Sequence, residues 1–187
     1  MIAEQYAPAP VDVAKIAYLL MLSDGEKVSE EQQLFNSLCS ELKVDPTNIS
    51  NSCKQELLRY EGNNLERVKA VIRKIVSQYR NGRMNTCYFT LWMMITMAFA
   101  DKNICAEEVA VVRSLAEEWE IDSSVVTEMF DIADEMQMLN DYQMSLPSSS
   151  IPSSKVAERI ELTKKDIQSA VNTIESLIAN AQYGGEK

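Results

Sequence analysis

Four carboxylates in this sequence are set apart by their spacing. Asp24 and Asp101 each close an apolar run, and Glu31 and Glu108 follow seven positions later, behind a short turn. A tight turn lets an aspartate and a glutamate at that spacing face one small volume. Two such units related by a pseudo-dyad bring four carboxylates together. An oxygen-only ligand set favours hard divalent cations, so the ion expected is calcium, magnesium or manganese rather than zinc or copper. A plainer reading uses the same residues: glutamates in the first turn of a helix offset the positive end of its dipole by about 0.3–1 kcal/mol with no ligand at all. Both readings stand on the sequence.

Other chemistries have less to work with. The chain has no histidine, which removes the commonest general base and the commonest transition-metal ligand. The four cysteines, Cys39, Cys53, Cys87 and Cys105, form no CxxC pair and match no zinc or disulfide framework. An EF-hand needs acids at alternate positions before its glycine, and before Gly25 the first two of those positions, Leu20 and Leu22, are apolar. A carboxylate pair alone could act as acid and base, but no nucleophile accompanies it. The chain is therefore read as a non-enzyme with no organic cofactor.

Charge is concentrated. The net charge is −10, and residues 101–141 hold twelve acids against two bases, Lys102 and Arg113, which accounts for the whole excess. Such a field repels duplex nucleic acid and attracts cations or a basic protein partner, including a second copy of the chain. The first residues, MIAEQYAPAP, carry an acid and no base, unlike a signal peptide. The longest apolar stretch, FTLWMMITMAFA over 89–100, is shorter than a membrane span. With free cysteines, these features predict a cytoplasmic protein with no direct membrane insertion.

Apolar periodicity then supplies the elements that must position the carboxylates. It predicts helices over about 11–22, 29–44, 48–60, 64–80, 85–100, 106–118, 123–138 and 155–181. Ser29 opens S-E-E-Q, a capping-box pattern in which Gln32 would reach back, and Asp45-Pro46 stops the helix before it. Asn64 is expected to cap a helix with Val68, Val71, Ile72 and Ile75 inward and Arg67, Lys69, Arg73, Lys74 and Arg80 outward. Met93, Met94 and Met97 read as core, whereas Met129, Met136, Met138 and Met144 read as a partner groove. Residues 145–154, SLPSSSIPSS, form a Pro/Ser linker. The last helix carries a seven-residue seam of Ile160, Ile167, Ile174 and Ala181 with Thr163, Ala170 and Leu177 between, suited to packing on this chain or on a partner.

An offset of 77 positions lays the sequence on itself. Asp24 falls on Asp101, Glu30 and Glu31 on Glu107 and Glu108, and Asp45 on Asp122. Leu34, Phe35, Leu38 and Leu42 fall on Val111, Val112, Leu115 and Trp119. The fold class expected is all-α: a compact bundle of about seven helices with an internal pseudo-two-fold repeat, plus a long C-terminal helix. The domain organisation expected is a helical domain over 1–144 with repeat units at about 13–45 and 90–122, the linker at 145–154, and the C-terminal helix at 155–187.

The segments LLMLSDGEKVSEE and TMAFADKNICAEE resemble the two acidic motifs of the TerB-like superfamily, over about residues 13–138. That superfamily includes bacterial tellurite-resistance proteins and the N-terminal domain of a membrane-anchored J-domain co-chaperone. The resemblance implies an all-helical cytoplasmic stress-response module whose pseudo-symmetric acidic patch binds metal, here Asp24, Glu31, Asp101 and Glu108. This sequence departs from the family pattern where Val28 stands four positions after Asp24 rather than three, and where Lys102 takes the place of a usual glycine.

Overall fold

The computed structural model describes residues 8–25, 29–79, 84–100, 104–148 and 152–181. Among them are eight α-helices and no strand: α1 (Pro10–Met21), α2 (Ser29–Glu41), α3 (Pro46–Leu57), α4 (Asn64–Val76), α5 (Met84–Ala98), α6 (Ala106–Glu118), α7 (Ser123–Ser145) and α8 (Ser153–Asn180).

The centre is built from the two most apolar helices. Eight residues of α1, from Val13 to Met21, are buried, as are seven of α5, including Leu91, Met94 and Ile95. Around this pair, α1 carries α2, α3, α4 and α6, and α5 carries α2, α6, α7 and α8. The apolar face of α4 behaves as its spacing dictates, with Val68, Val71, Ile72, Ile75 and Val76 all buried. Its basic face is less free than expected. Arg67 and Lys69 are half-buried, Arg73 pairs with Glu118 at 2.8 Å, Lys74 pairs with Glu56, and Arg80 lies outside the described residues.

The repeat is reproduced to the residue. Adding 77 to the first and last residues of α2 gives those of α6, and adding it to the starting position of α3 gives that of α7. Both α3 and α7 are capped by an aspartate, Asp45 accepting from Thr47 N–H and Asp122 from Ser124 N–H. Both α2 and α6 end through a left-handed residue, Lys43 at φ 57° and Glu120 at φ 56°. Val44 N–H then reaches Cys39 C=O at 2.9 Å, and Ile121 N–H reaches Ala116 C=O at 2.9 Å. This cap stops α2 at Glu41, short of the 44 predicted. Left-handed backbone strains any residue with a Cβ, so Lys43→Gly and Glu120→Gly should each stabilise the fold by about 0.5–1 kcal/mol. Urea denaturation reads this directly, and a loss of stability in both variants would contradict the shared cap.

Four other expectations need correction. Asn63, not Asn64, caps α4: its side chain accepts from Glu66 N–H while Glu66 reaches back to Asn63 N–H, with Gly62 at φ 110° turning the chain just before. The Ser29 capping box does not form through Gln32, whose amide donates to Asn36 at 3.2 Å along the helix. The S/P-rich segment is only partly a linker: α7 runs on to Ser145, and Leu146 is buried in a short 3-10 turn over Leu146–Ser148. Helix α8 packs on α7 and α5 of its own chain. Its seam faces them, with Thr163, Ala170 and Ile174 buried and Ile160, Ile167, Leu177 and Ala181 half-buried. The methionines divide differently from the sequence reading. Met94, Met97 and Met129 are core, Met93 and Met136 are half-buried, and Met138 and Met144 are exposed.

Candidate metal centre

Each acidic unit is an apolar helix, a connection and the first turn of a second helix. Asp24 is exposed just past the end of α1, where Gly25 at φ 82° takes the backbone into a conformation that favours glycine. Asn64 braces this corner from α4, its side-chain amide donating to Leu22 C=O and, at 3.2 Å, to Ser23 C=O. The Ser23 hydroxyl is buried beside Asp24 and has no hydrogen-bond partner among the described residues. Asp101 lies outside the described residues, as does Lys102.

The glutamates are described in both units, and they match. Glu31 is 6% exposed in the first turn of α2, and Glu108 is 4% exposed in the first turn of α6. Their neighbours Glu30 and Glu107 are exposed. At Glu30 the Ser29 hydroxyl, donating at 2.6 Å, holds the carboxyl below its ordinary range. A glutamate is almost never this buried without a partner. Glu108 has one in its own turn, because its carboxylate accepts from Cys105 N–H at 2.8 Å while its own N–H donates to Cys105 Sγ at 3.4 Å. Cys105 is thus the cap of α6, in the position that Val28, outside the described residues, holds before α2.

Cys105 does not bring thiolate chemistry to this corner. Burial, reinforced by the Glu108 carboxylate, pushes its thiol up to about 11 from an ordinary value of 9.0. Alkylation by iodoacetamide at pH 8 should therefore run about 100-fold slower than for an unhindered thiol. Labelling of Cys105 at the rate of free glutathione would disprove that environment. Cys53 and Cys87 are more protected, their thiols raised by burial to about 12 and about 11.

Among the described residues no group of three or more Cys, Asp or Glu side chains is placed to hold a metal ion, and what Asp24, Glu31, Glu108 and the Ser23 hydroxyl offer singly are oxygen donors. That chemistry suits a hard divalent cation. Sequence reasoning named the carboxylates by their spacing and Asn64 only as a helix cap; the bonds of Asn64 to Leu22 and Ser23 C=O arise through the approach of α4 to the end of α1. No protein-family model, curated protein or solved structure matches the chain.

Proposed function

We propose that this chain is a non-enzymatic, TerB-like module that binds a divalent cation through its paired acidic units, in the service of a cytoplasmic stress or resistance system. The observation that supports it best is the matched burial of Glu31 and Glu108. Dipole compensation alone asks for a glutamate anywhere in the first turn, and Glu30 and Glu107 already meet that need from solvent. It gives no reason to bury a second carboxylate in each copy. Asp24 and Asp101 complete the proposed ligand set, with calcium, magnesium or manganese as the ion.

One substitution separates the capping role from the metal role. Glutamine keeps an oxygen for the capping hydrogen bond and removes the ligand charge, as in natural capping boxes. The parent chain should gain about 2.7 kcal/mol at a cation concentration 100 times Kd, a rise in Tm of about 5–10 °C. Glu31→Gln/Glu108→Gln should lose that response, as should Asp24→Asn/Asp101→Asn. Melting curves that superimpose with and without all three cations would retire the proposal.

A second reading is a metal-independent protein-interaction adaptor that uses the acidic 101–141 stretch and the C-terminal helix, and the observation that favours it lies on α7. There Met138, Tyr142 and Met144 are 59%, 41% and 79% exposed on a helix that also exposes Glu128, Asp131, Asp134 and Glu135. Exposed apolar groups rimmed by charge mark protein-contact surfaces. This reading expects melting indifferent to cations. It also expects a basic helical peptide to bind in a salt-sensitive way, and to be lost in Asp131→Lys/Asp134→Lys.

A further inference from the structure

The two repeats share a sequence pattern and a backbone, yet among the described residues only one of them is covered. The pseudo-symmetry that carries α2 onto α6 also carries α5 onto α1, so the corner between α6 and α1 has a counterpart between α2 and α5. Helix α4 fills the first corner, packing on both α1 and α6. Beneath it Val111 and Leu115 are 1% and 0% exposed, Ser114 is buried, and Glu118 at the end of α6 receives Arg73 at 2.8 Å. Because α4 joins the two repeats and occurs once, no equivalent helix covers the second corner among the described residues.

That corner is an open groove of about 280 Å³ between α2 and α5. It is lined at the matching positions by Leu34, Leu38 and Glu41, and across from them by Met93, Thr96 and Met97. Leu34 is 42% exposed where Val111 is 1%. Glu41, the counterpart of Glu118, is exposed and has no ion pair among the described residues. The groove is also one-signed: α2 holds three glutamates and no base, and α5 holds no charged residue.

We infer that the α2–α5 groove seats one amphipathic helix of a partner protein, built on the pattern by which α4 fills the pseudo-equivalent corner. Helix α4 defines that pattern within this chain. Val68, Val71, Ile72 and Ile75 stand at i, i+3, i+4 and i+7 to fill the apolar floor, and Arg73 reaches the terminal glutamate. The partner helix therefore presents aliphatic residues at that spacing and a basic residue that pairs with Glu41. Leu34, Leu38 and Met93 supply the apolar contact, and methionine side chains adapt to its shape. This assignment does not depend on whether the carboxylates bind a cation, and it uses a face of the molecule other than α7.

The test uses the full chain and a fluorescein-labelled synthetic peptide of residues 64–79, followed by anisotropy. Saturable one-to-one binding is expected. Glu41→Lys and Leu34→Asp, both at exposed positions that leave the fold intact, should each weaken it about tenfold or more. A peptide carrying Arg73→Glu should fail on the parent chain and recover on Glu41→Lys. Absence of saturable binding overturns the proposal. Binding that survives Glu41→Lys also does so, because the peptide would then be displacing α4 from its own corner. Sedimentation equilibrium decides the remaining occupant: a dimer of the chain that Glu41→Lys dissociates would make a second copy the occupant, and would overturn the assignment to a partner helix.

Discussion

Leu115→Ala should destabilise the fold by about 2–5 kcal/mol, while Leu38→Ala, at the matching position of the other repeat, should cost about 1 kcal/mol or less. The residue, the helix position and the cap that follows are the same in both units. What differs is cover. Leu115 is fully buried, with α4 across it, so its truncation removes transfer free energy and leaves a cavity that close-packed neighbours fill poorly. Leu38 is half-buried on the wall of an open groove, so water takes the space that a shorter side chain leaves. Against a total stability of about 5–15 kcal/mol, the first change is large and the second small. Urea denaturation with unchanged m-values measures both. Equal costs would mean that α2 is covered as α6 is, and the groove argument would fail with the asymmetry.

The asymmetry could not be read from the sequence, although the repeat could. Apolar period and the in-register acids exposed the duplication, because core-facing and turn positions constrain residue type in both copies. Which face of each copy meets another helix depends on where α4 goes, and α4 lies outside the repeat. The same limit applies at the helix ends. A left-handed C-cap is usually legible as a glycine, and here lysine and glutamate occupy it, so apolar periodicity alone carries α2 on to 44. Asn63 and Asn64 are both plausible caps by type, and only the long-range bonds of Asn64 to the end of α1 separate their roles. Composition misjudged Leu146, a buried side chain inside a serine- and proline-rich segment. At the candidate centre, spacing selected Glu31 and Glu108 over their neighbours, and their matched burial adds a physical distinction that charge alone lacked. Asp101, the fourth residue of that set, falls outside the described residues.

Ending the chain at Ser148 should lower stability by about 3–5 kcal/mol, because α8 is a structural wall of the bundle rather than an appendage. Its buried Ile174 and Ala170 pack into the common core, and Val171, Ile174 and Ile178 line one side of a cleft whose other side is Phe89, Trp92 and Met136. Removing α8 therefore exposes the outer faces of α5 and α7 together. The expected size follows from returning one Ile fully and several Ile and Leu partly to water, less the conformational freedom that α8 regains. Tryptophan fluorescence gives a local readout: half-buried Trp92 should shift to the red, while Trp119, 3% exposed at the end of α6, should not. The milder variant Ile174→Asp should produce the same shift by placing a charge where the side chain is 3% exposed. An unshifted spectrum and unchanged urea midpoint in both would show that α8 does not hold the core together. If the shift occurs, loss of a partner on truncation is ambiguous, since the cut disturbs α5 and α7 as well as removing α8. An adaptor role for α7 is then better tested by exposed charge reversals such as Asp131→Lys/Asp134→Lys, which leave the α8 contact in place.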